Sequence, residues 1–109
     1  MPGAKRTIVL GGLAERDFSE IVDWTTENFG PRQAERYVDE ILATIDAIAE
    51  NPNSSRSRER PEIGAGYRTV RLRRPGRHFI LYRTEGMDTV LVVRILHDSM
   101  EISLHVPEG

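Results

Sequence analysis

No cysteine occurs in the 109 residues, which excludes a disulfide framework, a thiolate metal site and a cysteine nucleophile. Lysine is nearly as scarce: Lys5 stands alone against fourteen arginines. Positive charge carried by guanidinium favours planar, bidentate contacts to carboxylate or phosphate over simple solubilisation. No apolar run approaches the roughly 20 residues of a membrane span, and the opening Met-Pro-Gly-Ala-Lys-Arg lacks the apolar stretch of a signal peptide. The expectation is a cytoplasmic protein with no membrane partner. No metal-ligand spacing links His78, His97 and His105. Gly11-Gly12 lacks the further glycines and the lysine of a phosphate loop, so no metal, nucleotide or other cofactor is expected.

The charge that is present is divided unevenly. Residues 1–51 hold five basic against ten acidic side chains, and residues 52–109 hold ten against seven. With 39% hydrophobic residues the chain suits one domain over 1–109, burying about two-thirds of its unfolded surface. A tail over 103–109 is expected.

Residues 66–97 organise the rest. They predict three antiparallel strands near 67–73, 77–84 and 89–97. The first reversal is Pro75-Gly76, with proline at the second turn position and a positive-φ glycine at the third. The second lies within Thr84–Asp88 and contains Gly86. Val70 and Leu72 alternate with Thr69, Arg71 and Arg73, as in a half-exposed strand, whereas Phe79–Tyr82 and Val90–Leu96 are almost continuously apolar. Arg6–Leu10 predicts a further strand at a sheet edge. Ala14, Phe18, Ile21, Val22, Thr25 and Phe29 form the apolar stripe of one helix. Ala34, Tyr37, Val38, Ile41, Leu42, Ile45, Ile48 and Ala49 form the stripe of a second over 31–50. Gly30-Pro31 joins them, and Asn51-Pro52 stops the second. Residues 51–65 read as a loop. Residues 98–109 read as an irregular tail, an extra strand or a short helix.

The order β-α-α-β-β-β gives an α+β fold, a helix hairpin on one face of a mostly antiparallel sheet. Apolar residues of both parities in the central strands then predict an uncovered strip on the other face. It would run through Tyr82 and Val92, ringed by Arg68, Arg71, Arg73, Arg77 and Arg83, and would suit an acidic amphipathic segment. Arg83, Arg94 and His97 converge near one strand end, where arginine could stabilise phosphate charge and histidine could move a proton. Alternatively, His97 caps the sheet through a backbone bond while the arginines pair with helix carboxylates. The cluster of Arg56, Arg58 and Arg60, with Arg71, Arg73, Arg74 and Arg77, reads as a solvated rim, an acidic-protein site or a nucleic-acid site. His78 and His105 read as surface or interface residues.

Several phrases in this order resemble the ParE toxins of the RelE/ParE superfamily. They are Ile21-Val22-Asp23-Trp24, Phe29-Gly30, Ala34-Glu35-Arg36-Tyr37, Ile48-Ala49-Glu50-Asn51-Pro52, Gly66-Tyr67-Arg68, Phe79-Ile80-Leu81-Tyr82-Arg83, and Val93-Arg94-Ile95-Leu96-His97 with Met100-Glu101. The resemblance covers about residues 6–102. It implies the toxin of a type II toxin-antitoxin pair, not an enzyme, that poisons DNA gyrase without binding DNA directly. It also implies a ParD-like antitoxin partner in a hetero-oligomer, for which the strip and its arginine ring, Arg68, Arg71, Arg73, Arg77, Tyr82, Arg83 and Val92, are the expected binding residues. Arg94, His97, Met100 and Glu101 are the residues placed to act on the target. The RelE branch cleaves messenger RNA on the ribosome with basic sheet residues and a C-terminal Arg and Tyr. Neither Lys, Arg nor Tyr follows Arg94 here, so that alternative would rest on Arg83, Arg94 and His97.

Overall fold

The computed structural model describes residues 5–106. Five strands form one mixed sheet in the order β1-β5-β4-β3-β2. They are β1 (Thr7–Leu10), β2 (Ser57–Glu59), β3 (Tyr67–Arg71), β4 (His78–Glu85) and β5 (Thr89–His97), and helices α1 (Gly12–Phe29) and α2 (Pro31–Glu50) follow β1 directly. The predicted α+β order holds. Two details were not anticipated: β2 lies inside the stretch read as a loop, and β1 runs parallel to β5.

The helix hairpin turns on one residue. Gly30 takes φ 88 and ψ 166, a region closed to most side chains, and Pro31 begins α2 where its missing N–H costs nothing. Ile41, Ile45 and Ile48 recur at i, i+4 and i+7 and pack with Ala14 onto Val70, Leu72, Ile80, Tyr82, Val90, Val92 and Ile95. Leu42, predicted inside, is 50% exposed because it lies about 100° round the helix from Ile41. Phe29, also predicted inside, is 64% exposed beside the turn of the hairpin.

A bulge in β5 explains its unbroken apolar run. Leu81 pairs with Arg94 but Tyr82 pairs with Val92, leaving Val93 as the extra residue. The inward parity changes there, from Val90 and Val92 before the bulge to Ile95 after it. Strict alternation would have pointed Arg94 into the core.

The uncovered apolar strip is not found. Tyr82 and Val92 are fully buried in the core cluster that packs against α2. On the opposite face Thr69, Phe79, Leu81 and Leu96 are also buried. What is open on that face is the cross-strand row Val9, Leu91, Arg83 and Tyr67.

The β3–β4 reversal also differs from expectation. Gly76 N–H donates to the Arg73 carbonyl at 2.8 Å, and the Arg74–Pro75 bond is cis, so proline occupies the third turn position. Gly76 is required for space rather than positive φ: a Cβ there would lie 2.8 Å from the Arg73 oxygen and 2.9 Å from Leu72 Cβ. Gly86, in the second reversal, does take positive φ (68°). After β5, Asp98 N–H donates to the Arg77 carbonyl, and Ile102–Leu104 form a 3₁₀ turn. Part of the tail expected over 103–109, residues 107–109, lies outside the described residues. Among the described residues, no helix is long and apolar enough to cross a membrane.

Candidate functional site

The chain between β3 and β4 carries Arg73, Arg74 and Arg77 on the tight Pro75-Gly76 turn. It stands opposite the turn end of the helix hairpin, where the Trp24 and Phe29 rings meet edge to face at 5.7 Å. Between the two walls lies a cleft of about 1070 Å³, floored by Tyr37, His78, Ile95 and His97. Trp24 is 58% exposed, so this aromatic wall faces water.

The floor is two hydrogen-bonded groups that meet at their imidazole rings, drawn from three elements and the segment after β5. Arg77 backbone N–H donates to the Tyr37 oxygen at 3.2 Å, and Tyr37 oxygen and His78 Nδ1 are 2.6 Å apart. The Tyr37 oxygen already accepts the Arg77 amide, which leaves its O–H as the donor for His78 Nδ1; in that tautomer the imidazole proton sits on Nε2. Ser99 backbone N–H donates to His97 Nδ1 at 3.1 Å, with Ser99 Oγ at 2.7 Å. An amide can only donate, so His97 also carries its proton on Nε2. The two imidazoles meet edge to face at 5.3 Å. Burial first, and then the neighbouring His97, push the His78 pKa down to about 4, so His78 is neutral at pH 7. Burial raises the Tyr37 pKa, keeping the phenol protonated.

Beside the floor, Asp98 accepts from Arg71 Nη2 at 2.7 Å and Arg77 Nε at 2.9 Å. Hydrogen bonds from Arg77 and then Arg71 hold its carboxyl well below the usual range. Arg73 donates its backbone N–H to Glu40. The Arg73 and Arg74 guanidinium groups have no acceptor among the described residues.

Arg94 is placed differently from the expectation that it handles phosphate or a target. Because β1 pairs only with Thr89–Val92, the edge of β5 beyond Val92 has no strand beside it. Asp17, buried on α1, fills that role. Its carboxylate accepts Ile95 N–H at 2.9 Å and both Arg94 Nε and Nη2 at 2.8 Å. Arg94 Nη1 then donates to the His105 carbonyl at 2.7 Å. Asp17 stands among Ala14, Phe18 and Ile21 on the α1 stripe, and an acid in an apolar stripe is the sequence signal that this buried pair existed.

Of the residues predicted from sequence, the cleft brings together Arg73, Arg74, Arg77, His97 and Met100. It leaves out the others. Arg68 donates to Ser57 and Glu59 on β2, and Tyr82 hydroxyl bonds Ser57 Oγ and the Pro52 carbonyl. Arg83 lies over the Tyr67 ring on the far face and pairs with Glu85. Glu101 is exposed beside Ser103. Trp24, Tyr37 and His78 were not foreseen as site residues. Trp24 had a signal: a lone tryptophan among acids, off the apolar stripe of its helix.

The model of the ParE toxin of the type II toxin-antitoxin system, parDE, matches residues 8–102. The chain belongs to the ParE toxin family. Toxin ParE1 of Mycobacterium tuberculosis is 37% identical over 94 residues, 86% of this chain and 91% of that protein. Toxin ParE1 of Caulobacter vibrioides is 34% identical over 97 residues, 89% and 94% of the two chains. Among solved structures, a chain of the chromosomal ParDE system from P. aeruginosa superposes with TM-score 0.71 at 22% identity, covering 87% of this chain and 98% of that one. A chain of the toxin-antitoxin complex RelBE2 from Mycobacterium tuberculosis superposes at 0.57 and 21% identity, covering 86% and 99%. At those identities the superpositions speak for the ParE-like fold alone.

Proposed function

We propose that this ParE-family toxin arrests growth by acting on DNA gyrase, and that a ParD-like antitoxin silences it through an acidic amphipathic segment seated in the cleft. One observation carries the docking half of this reading: an arginine turn faces an exposed aromatic pair across one cleft. A segment with apolar anchors and carboxylates matches both walls. Such a segment orders on binding, its anchors giving affinity and its carboxylate-guanidinium pairs giving register. The gyrase half follows the family. It is supported by the state of Arg94, whose Nε, Nη1 and Nη2 all donate within the protein, so the arginine nearest His97 in sequence is not free for a scissile phosphate.

The test is induction of the chain in a susceptible cell with and without its adjacent-frame antitoxin. DNA breaks that accumulate with an intact message pool, and that vanish on co-expression, are the expected result. Codon-specific transcript cleavage within minutes, lost in His97→Ala, would replace this reading with a ribosome-dependent ribonuclease.

A further inference from the structure

Resting on the docking reading above, we infer that the paired imidazoles of His78 and His97 form the seat for one carboxylate of the docked segment. The seat is distinct from the guanidinium contacts along the rim. Both rings line the cleft. Each has its Nδ1 occupied as an acceptor, His78 by Tyr37 O–H and His97 by Ser99 N–H. Each therefore presents Nε2–H as a donor that no described residue accepts. Two Nε2–H donors on rings that meet at 5.3 Å between centroids, beside Arg73, Arg74 and Arg77, make a surface rich in donors, which an anion satisfies.

The acids nearby do not fill it. Asp17 is occupied by Arg94 and Ile95 N–H, Asp98 by Arg71 and Arg77, and Glu40 by the Arg73 amide. Glu20 lies on the α1 wall and, with Glu40, gives the cleft charge of mixed sign. That mixture favours a protein segment over nucleic acid. A phosphate strand would bring continuous negative charge against Glu20 and Glu40. A single aspartate or glutamate flanked by apolar side chains meets the imidazoles while its neighbours cover Trp24 and Phe29.

The experiment uses the full chain labelled with ¹⁵N-histidine. Long-range imidazole spectra should first show the proton on Nε2 in both His78 and His97. Titration with a capped leucine-glutamate peptide should then move both Nε2–H resonances saturably. Its leucine-glutamine counterpart should bind about tenfold more weakly, the loss expected for a charge-assisted hydrogen bond. His97→Gln, which keeps a side-chain donor, should retain part of the preference for glutamate, and His97→Leu should abolish it. Equal binding of the two peptides, a proton on Nδ1 in either ring, or oligothymidylate moving the same resonances in place of the glutamate peptide would each overturn the assignment. Failure of the docking reading itself is distinguishable. In that case neither peptide binds at all, and the antitoxin protects cells without perturbing any cleft resonance.

Discussion

Two tyrosine-centred polar networks occupy the helix-covered side of the same sheet, and they end differently. Around Tyr82 on β4, the hydroxyl meets Ser57 Oγ and the Pro52 carbonyl, and Arg68 closes the ring onto Ser57. Tyr82 is fully buried, and its partners lie in the loop after α2 and in β2, so this network fastens the returning chain to the sheet. Around Tyr37 on α2, the row through His78 and His97 stops at two ring N–H groups that line a cleft. The residue types are similar. What differs is whether the last donor finds an acceptor inside the chain, and that separates a fastening from a binding surface.

Replacing Ile45 by Asp should destroy both networks at once, because it sets an uncompensated carboxylate in the core they share. The cost is several kcal/mol against a total stability of about 5 to 15 kcal/mol. A thermal melt by circular dichroism should show no cooperative transition. Asp17→Ala should come next. It leaves the Arg94 guanidinium and the Ile95 amide without their acceptor, at a cost of roughly 2 to 4 kcal/mol in urea unfolding. The loss in Asp17→Ala/Arg94→Ala should be smaller than the sum of the single losses.

The comparison itself is sharpened by paired tyrosine variants. Tyr82→Phe strands buried partners and should cost about 1 to 3 kcal/mol, whereas water can replace the Tyr37 hydroxyl, so Tyr37→Phe should cost about 1 kcal/mol or less. The reverse order would mean that the cleft network, not the Tyr82 network, holds the fold.

A fourth outcome concerns pH. His78 has a folded pKa of about 4 against an ordinary value of 6.5, so between those values the unfolded chain binds the proton and the folded chain does not. Stability should therefore fall as pH drops from 6.5 towards 4 and lose no more to this group below that. His78→Gln should flatten that part of the profile, read from urea midpoints at successive pH values. The smallest stability effect belongs to Arg74→Gln, on the exposed turn, which should stay within about 0.5 kcal/mol of the parent. Its effect should appear instead in association with an acidic partner, as a slower rate with a weaker dependence on salt.

The two networks also mark how far the residues could be read in one dimension. Period 3.6 in Ile41, Ile45 and Ile48, and β-rich runs broken by Pro75-Gly76 and by Gly86, were enough to place both helices and four strands. Leu42 and Phe29 were misplaced because an apolar residue at the margin of a stripe is inside or outside according to what packs there. Ser57–Glu59 was missed as a strand because its pairing with β3 is supplied by a partner across the sheet, not by local β propensity. Trp24, Tyr37 and His78 were not grouped, since they come from α1, α2 and β4 and only the folded hairpin sets them round one cleft.

Composition and local pattern by themselves determined the element order, the helix hairpin on Gly30-Pro31, the apolar faces of both helices and the excess of arginine over lysine. These depend on near neighbours and on backbone preferences. The bulge at Val93 was a tertiary decision. By reversing the inward parity of β5 it set both Val92 and Ile95 beneath the helices and kept Arg94 out of the core, where it pairs with Asp17 at the strand edge. A register shift in a strand is chosen by the summed packing of all its neighbours, a quantity no single stretch of the chain contains.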